Sequence, residues 1–335
     1  MKIKHNTKYI FFGFAIALFI LLLYLFKNIS TQESTLSHFS GKKQDKYKSI
    51  NQSSEFTMIS TGDIGLVRDV NYRIQQKNDP NYPFLHIAEY LRNADLTVIN
   101  LEGPLISNCP IVITGFKFCG DLSNVSGLKY AGIDAANLAN NHTTNYGLDG
   151  MRQTVQNLQQ VGIVPYGLEG KIEYKIVKNH NISFVGFVEL ENNWAGLNNA
   201  TVDNISTLVH RARKTSDIVI VSFHWGVEYT HQPTSEMIKL GRYAIDAGAD
   251  IVLGNHPHWI QIKERYKDKY IIYAQGNTIF DQDWSQQTRE GVLYKFLYKD
   301  LGFELIDERY TIIEDNAQPR FATDEEANII KNKIR

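Results

Sequence analysis

The sequence predicts an α/β domain over residues 55–317, and three observations support this. Short β-branched apolar runs alternate with amphipathic helical stretches across that range. No internal repeat and no second low-complexity linker divides it, so one layered domain accommodates it. In front stand an uncharged apolar stretch and a serine-rich segment whose compositions set them apart.

The first element is YIFFGFAIALFILLLYLF, residues 9–26. As a helix it would be about 27 Å long at ~1.5 Å per residue, close to the ~30 Å apolar thickness of a bilayer. Lys2, Lys4 and Lys8 precede it, and no A-x-A-like site follows closely. The expectation is a single-pass signal anchor in the cell membrane, with residues 1–8 cytoplasmic and the domain extracytoplasmic; a cleaved signal peptide is the alternative. Residues 27–54 carry seven serines and scattered lysines, the composition of a flexible tether. Residues 318–335 read as a C-terminal tail.

The formal net charge of −1 hides an asymmetry. Residues 1–54 hold eight lysines and two acidic residues, so the remainder carries a net charge of −7. That balance excludes a nucleic-acid-binding body. The two cysteines, Cys109 and Cys119, are ten positions apart. Outside the membrane a disulfide closing this loop is expected. Two free thiols or a metal-binding pair are alternatives, although no second pair supports a zinc ribbon.

Six predicted strands end in polar residues. FTMIS (56–60) leads to Thr-Gly-Asp63, and LTVIN (96–100) to Leu-Glu102-Gly. IDAANLA (133–139) leads to Asn140, Asn141 and His142, and DIVIVSF (217–223) to His224 and Trp225. ADIVLG (249–254) leads to Asn-His256-Pro-His258, and YIIYAQ (270–275) to Gly-Asn277. Between them, residues 147–162 read as a helix with Leu148, Met151, Val155, Leu158 and Val161 on one face, and 235–248 as another. Residues 175–189 read as an antiparallel hairpin. In α/β sheets the carboxyl ends of strands form the edge where ligands bind, so these residues are expected on one rim.

Each residue taken alone has an ordinary reading. Gly-Asp turns chains, an acidic residue leaving a strand is usually solvated, and His224 could be a core histidine bonded to backbone. His256 and His258 around a proline can present two imidazoles from a rigid turn. Four histidines, two carboxylates and an amide at strand ends make a donor set suited to one or two divalent ions of manganese, zinc or iron. Two such ions bridged by a carboxylate would activate water for attack on phosphorus or an acyl carbon.

TGDIGL, VINLEGPL, AANLANNH, SFHWGVEY, GNHPH and QGNTIF occur in the order seen in the CapA/PgsA family of poly-γ-glutamate capsule proteins, which the chain resembles over about residues 56–283. That family belongs to the calcineurin-like metallophosphatase superfamily. The resemblance implies a four-layer α-β-β-α sandwich with a dinuclear-type site. It implies Asp63 and His258 on a first metal, Glu102 as bridge, and Asn141, His224 and His256 on a second. His142 is implied as the catalytic proton donor or oxyanion stabiliser. Phosphoesterases of the superfamily usually have Asp-x-His at the first motif, whereas this chain has Asp63-Ile64-Gly65.

The resulting expectation is a membrane-anchored component of poly-γ-glutamate or related capsule synthesis or export, with a metal-dependent hydrolase-type site. Its expected partners are the membrane, the anionic polymer and membrane synthase subunits. A phosphodiesterase or phosphatase unrelated to capsule, and a non-catalytic scaffold of a synthase complex, are the alternatives. Trp225, Glu228, Asn277 and Arg289 are candidate substrate contacts.

Overall fold

The computed structural model of the protein describes residues 55–334 apart from residue 192. The strands, in chain order, begin with β1 (Phe56–Ile64), β2 (Leu96–Leu101), β3 (Leu105–Ile106), β4 (Gly120–Asp121), β5 (Ala135–Asn137) and β6 (Val164–Tyr166). Next come β7 (Glu173–Val177), β8 (His180–Glu189), β9 (Ile218–Trp225), β10 (Ile251–Asn255), β11 (Lys263–Tyr266) and β12 (Lys269–Ile272). The last are β13 (Asn277–Ile279), β14 (Glu290–Lys299), β15 (Gly302–Glu314) and β16 (Gln318–Phe321). The helices are α1 (Arg68–Lys77), α2 (Ala88–Arg92), α3 (Val125–Tyr130), α4 (Gly147–Gln160), α5 (Val202–Thr215), α6 (Ser235–Asp246) and α7 (Asp324–Lys333).

Two mixed sheets hold most of the strands. The first runs β16-β15-β14-β1-β2-β5-β6, with β13 also paired to β1; the second runs β11-β12-β10-β9-β8-β7. In each, the central strands are parallel and the outer hairpins antiparallel. Alternation along the strands explains the layering, because successive side chains point to opposite faces. In β9, Ile218 and Ile220 face the first sheet and join Met58, Val98 and Ala135 in the core between sheets. Val219, Val221, Phe223 and Trp225 face the other way and pack beneath α5 and α6. In β1 and β2, Ile59 and Ile99 pack outward against the α1–α4 side. The layers are therefore helix, sheet, sheet, helix. Fully burying each such side chain contributes about 1.5–3 kcal/mol.

Helix α4 packs by most of its expected face: Leu158 is buried, and Met151, Val155 and Val161 pack against the same core. Leu148 is 43% exposed, while Gly150, Thr154 and Leu158 are buried. A polar contact also seats the helix at close range: Thr154 Oγ1 accepts from Leu105 N at 2.9 Å and donates to Gly150 O at 2.8 Å. Gly150 has no side chain to hold the helix off Ile106 and Pro104. Beyond 317 the chain continues as structure. β16 pairs with β15, and α7 starts at a capping box between Thr323 and Glu326 and buries Ile330.

The expectation of a fold led by a membrane-spanning helix is corrected here. Among the described residues no helix is long and apolar enough to cross a membrane. The stretch at 9–26, the segment before it and the tether at 27–54 lie outside the described residues. Membrane anchoring, and the single-pass location built on it, are not carried further.

Candidate metal centre

Strand register assembles the site. β1, β2 and β5 are parallel neighbours, and Asp63, Asn100 and Asn137 are register partners across them. In the second sheet, His224 of β9 is level with Asn255 of β10. The two carboxyl ends meet, because His256 N donates to Asp63 Oδ2 at 3.2 Å. Asp63, Glu102 and His224 have no solvent exposure, and His256 and His258 are buried beside them. The turn carrying the last two is unusual: His256 has φ 99° and His258 φ 57°. Such left-handed backbone in non-glycine residues costs about 1–3 kcal/mol each and concentrates at functional sites.

Contacts divide the cluster into two poles. At one, His224 Nε2 lies 2.9 Å from Asn141 Oδ1 and 3.1 Å from His256 Nδ1. Donors around one tetrahedral zinc stand about 3.3 Å apart, given bonds of ~2.0–2.1 Å. At the other, His258 Nδ1 is 3.4 Å from Asp63 Oδ2, and His258 Nε2 is 3.9 Å from Glu102 Oε1. Taking only carboxylate and imidazole atoms, two groups could each hold a cation: Asp63, Glu102 and His224, and Glu228, His256 and His258. Within each group the donor atoms lie within 4.8 Å of one another. These groups cut across the division expected from the sequence, since one cluster holds all the donors. They also bring in Glu228, expected instead to contact substrate.

Both Glu102 carboxylate oxygens are buried without a hydrogen-bond partner among the described residues. Leaving buried polar atoms unsatisfied costs about 1–3 kcal/mol, more when charged. A carboxylate placed this way among histidine and amide donors fits a divalent cation, and the mixed nitrogen and oxygen set suits manganese, zinc or iron.

The electrostatics express the same demand for positive charge. Burial, with Asp63 and Glu228 nearby, pushes Glu102 upward against the pull of His258. Burial would lower His258, but the Glu102 and Asp63 carboxylates outweigh it and raise the imidazole. Burial pushes His256 down to about 3, with His258 and His142 adding to the effect. His224 lies well below the usual range for the same reasons. Burial also pushes His142 down to about 4, despite its hydrogen bonds to Asn145 and the Phe116 backbone. His224, His256 and His142 thus keep neutral imidazoles, the form that binds metal or accepts a proton.

His142 lies beside the cluster, its Nε2 3.7 Å from Glu102 Oε1. Its Nδ1 is 3.0 Å from Asn145 Oδ1, which also accepts the Phe118 N–H at 2.7 Å. That backbone donor identifies the Asn145 atom as oxygen, so His142 Nδ1 carries the hydrogen and Nε2 faces the site.

Three sequence-predicted contacts take other roles. Trp225 is fully buried in the core under α6 and donates to Tyr273 O at 2.8 Å. Asn277 is also buried: it accepts from His258 Nδ1 at 2.8 Å and donates to Thr288 O at 2.8 Å, bracing the histidine. Arg289 Nε donates to Ile313 O at 3.0 Å and ties a turn to β15. Cys109 and Cys119 are disulfide-bonded.

Asn100 and Asn137 were missed in the sequence, whereas Asn140 shapes the turn as its position suggests. Asn100 Nδ2 donates to Asp63 Oδ1 at 2.8 Å and lies 3.3 Å from His224 Nδ1. Asn137 Nδ2 donates to Asn100 Oδ1 at 3.0 Å. Asn140 binds the turn, accepting from His142 N at 3.1 Å and Thr143 N at 3.0 Å. An asparagine within an apolar strand segment was the readable signal for the first two.

Residues 57–282 match the family model described as bacterial capsule synthesis protein PGA_cap. The chain is 29% identical over 277 residues to the capsule biosynthesis protein CapA of Bacillus anthracis, covering 76% of this chain and 67% of that protein. It is 32% identical over 258 residues to the PGA biosynthesis protein CapA of Bacillus subtilis (strain 168), covering 72% and 67% respectively. A solved structure of a hypothetical protein from Thermus thermophilus is similar at a TM-score of 0.51 and 14% identity, covering 76% of this chain and 98% of that one. That likeness concerns the fold alone. By the family match over most of its described residues, the chain belongs to the bacterial capsule synthesis protein PGA_cap family.

Proposed function

We propose that this domain is a metal-dependent hydrolase of capsule production, acting on poly-γ-glutamate or a related anionic polymer. The observation that carries the reading is the Glu102 carboxylate, buried without a hydrogen-bond partner among the described residues, beside His224, His256, His258, Asp63 and Asn141. Family membership supplies the biological setting. One or two divalent cations held there would polarise the scissile carbonyl and activate water. Asp63, Glu102 and His258 would hold one ion and Asn141, His224 and His256 the other, with Glu102 between them.

The chain's own residues supply the proton traffic. Hydrolysis of an amide adds water across the C–N bond: the hydroxyl goes to the carbonyl carbon and a proton to the leaving nitrogen. His142, with Nδ1–H held on Asn145 and Nε2 open toward Glu102, can accept the water proton and return it to the amine. The body is acidic, so a polyanion gains no long attractive groove. Its contact is local, at the cation-bearing centre.

The test is to strip the purified chain with chelator, restore manganese, zinc or iron in turn, and follow chain length of poly-γ-glutamate. Cleavage that depends on added metal and disappears in Glu102→Gln is expected. Cleavage that survives both treatments refutes the reading. Turnover of phosphodiesters alone would reassign the substrate.

A further inference from the structure

The His142 ring is held between Asn145 and one small loop. Phe118 stacks on its ring at 3.7 Å between centroids and 16° between planes. The backbone N–H of the same residue fixes Asn145 Oδ1, which pairs with His142 Nδ1. The opposite side of Phe118 is covered by the Arg68 guanidinium, 4.3 Å from the ring centre. Arg68 is itself anchored: it forms a buried ion pair with Asp281 and donates to Gly115 O at 2.9 Å. The Cys109–Cys119 disulfide closes the loop immediately after Phe118. Loop residues on either side are open to solvent, Phe116 at 85% and Ile111 at 62%, whereas Phe118 is buried. The loop is anchored by the disulfide, whose cysteines pack with Ile106 and Tyr146, by the Arg68 contact, by Lys117 over the Tyr146 ring, and by Phe118 with its neighbours.

We infer that Phe118, clamped by the Cys109–Cys119 disulfide and backed by the Arg68–Asp281 pair, is the positioning residue that keeps His142 Nε2 open toward the metal centre. Without the stack, the imidazole can rotate about its side-chain bonds. Without the loop in place, Asn145 Oδ1 loses the backbone donor that orients it. The first change lets the other nitrogen face Glu102, and the second lets the hydrogen move to Nε2. The disulfide therefore serves the site and is more than a tie on a surface loop. This inference rests on the reading of His142 as the proton-exchanging group, but the orientation can be measured without turnover.

The experiment uses the full chain, metal-free and labelled with ¹⁵N, and reads the His142 ring nitrogens by long-range ¹H–¹⁵N correlation near neutral pH. The wild type should show a protonated-type Nδ1 and an unprotonated-type Nε2. Phe118→Leu, and the Cys109→Ser/Cys119→Ser pair, should move the two shifts toward each other as the tautomers average. Phe118→Tyr, which keeps the stack, should restore the wild-type pattern. Zinc binding by titration should change less than about threefold in Phe118→Leu, since no donor atom is lost. If the hydrolase reading holds, kcat falls about tenfold or more while KM is kept, as expected when general acid–base catalysis worth ~10²–10⁴ is partly lost.

Wild-type shifts in a folded Phe118→Leu chain overturn the proposal. So does a Phe118→Leu chain that loses zinc affinity in parallel with the shift, because the residue would then be structural. Should the serine pair fail to fold, Phe118→Leu and Phe118→Tyr decide alone. Absence of hydrolysis by the wild type would refute the hydrolase reading and leave the orientation result standing.

Discussion

Gly65 stands where phosphoesterases of the resembled superfamily have histidine, and the structure explains why none fits. A Cβ added at Gly65 would lie 2.7, 3.0 and 3.3 Å from three ring carbons of Phe280. Carbon atoms rest at about 3.5–4.0 Å, so the ring would have to retreat by roughly 0.8 Å before any imidazole atom was placed. Phe280 has little freedom to do so. It is 1% exposed, and its ring lies 5.1 Å from that of His258, 6.0 Å from that of Phe118 and 5.6 Å from the Arg68 guanidinium. Overpacking of this kind costs about 1–3 kcal/mol, and a five-membered ring beyond the Cβ places Gly65→His at the upper end. With a urea slope of ~3 kcal/mol/M for a domain of this size, the unfolding midpoint should fall by about 1 M. The assay is urea denaturation followed by tryptophan fluorescence. Phe280→Ala alone should cost ~3–5 kcal/mol. The double variant should be more stable than the sum of the two predicts, with a coupling of about 1–3 kcal/mol. A Gly65→His midpoint within about 0.2 M of the wild type would refute the argument that Phe280 occupies the histidine's space.

Asn100→Ala removes the amide that links Asp63, His224 and Asn137. Metal affinity by calorimetric titration should fall ~10–100-fold, as for other groups that orient ligands; unchanged affinity refutes that role. Asp95 provides a pH test away from the site. Partial burial acts to raise its pKa, but hydrogen bonds from Thr57 N at 2.9 Å and Thr57 Oγ1 at 3.2 Å, with Lys178 at 3.2 Å, outweigh it and hold the carboxyl below its usual range. A depressed folded pKa contributes stability above the unfolded value and loses it as pH falls through the folded one. Asp95→Asn should therefore cost about 1 kcal/mol at neutral pH, and the gap to wild type should close below about pH 3 in denaturation curves. A gap that stays constant from neutral to strongly acid pH would remove Asp95 from the acid limb.

The strand ends were legible because parallel strands in register deliver their carboxyl termini to one level. Asp63, Glu102, His224 and the His256–His258 turn could therefore be placed together from the sequence. What was misread was misread for want of a face. Trp225 directly follows His224, and in a strand that alone sends it to the opposite side of the sheet. With Ile218 and Ile220 packed toward the first sheet, and Val219, Val221 and Phe223 toward the helices, Trp225 belongs to the helix side. The same alternation puts Asn100 beside Asp63 in the space between sheets, although it lies inside a run that reads as pure core. Helix α4 was legible by its apolar stripe, which packs on the core except at Leu148. The stripe did not name Thr154 and Gly150, which meet Leu105 and Ile106 at close range. The Thr323–Glu326 capping box was a written helix signal in a segment read as tail.

Phe118 had no comparable signal. Its partner His142 lies twenty-four positions on, and no periodicity connects a closed loop to the residue it leans on. The cysteines announced that a loop existed, but only tertiary packing says what the loop holds. A site of this kind is therefore read from sequence in two grades. Residues delivered by strand register can be inferred from where strands end, whereas those delivered by a loop must be found through the side chain they touch. The second grade includes the group that orients His142, so reading the donor set alone would omit the part of the chain that governs the proton.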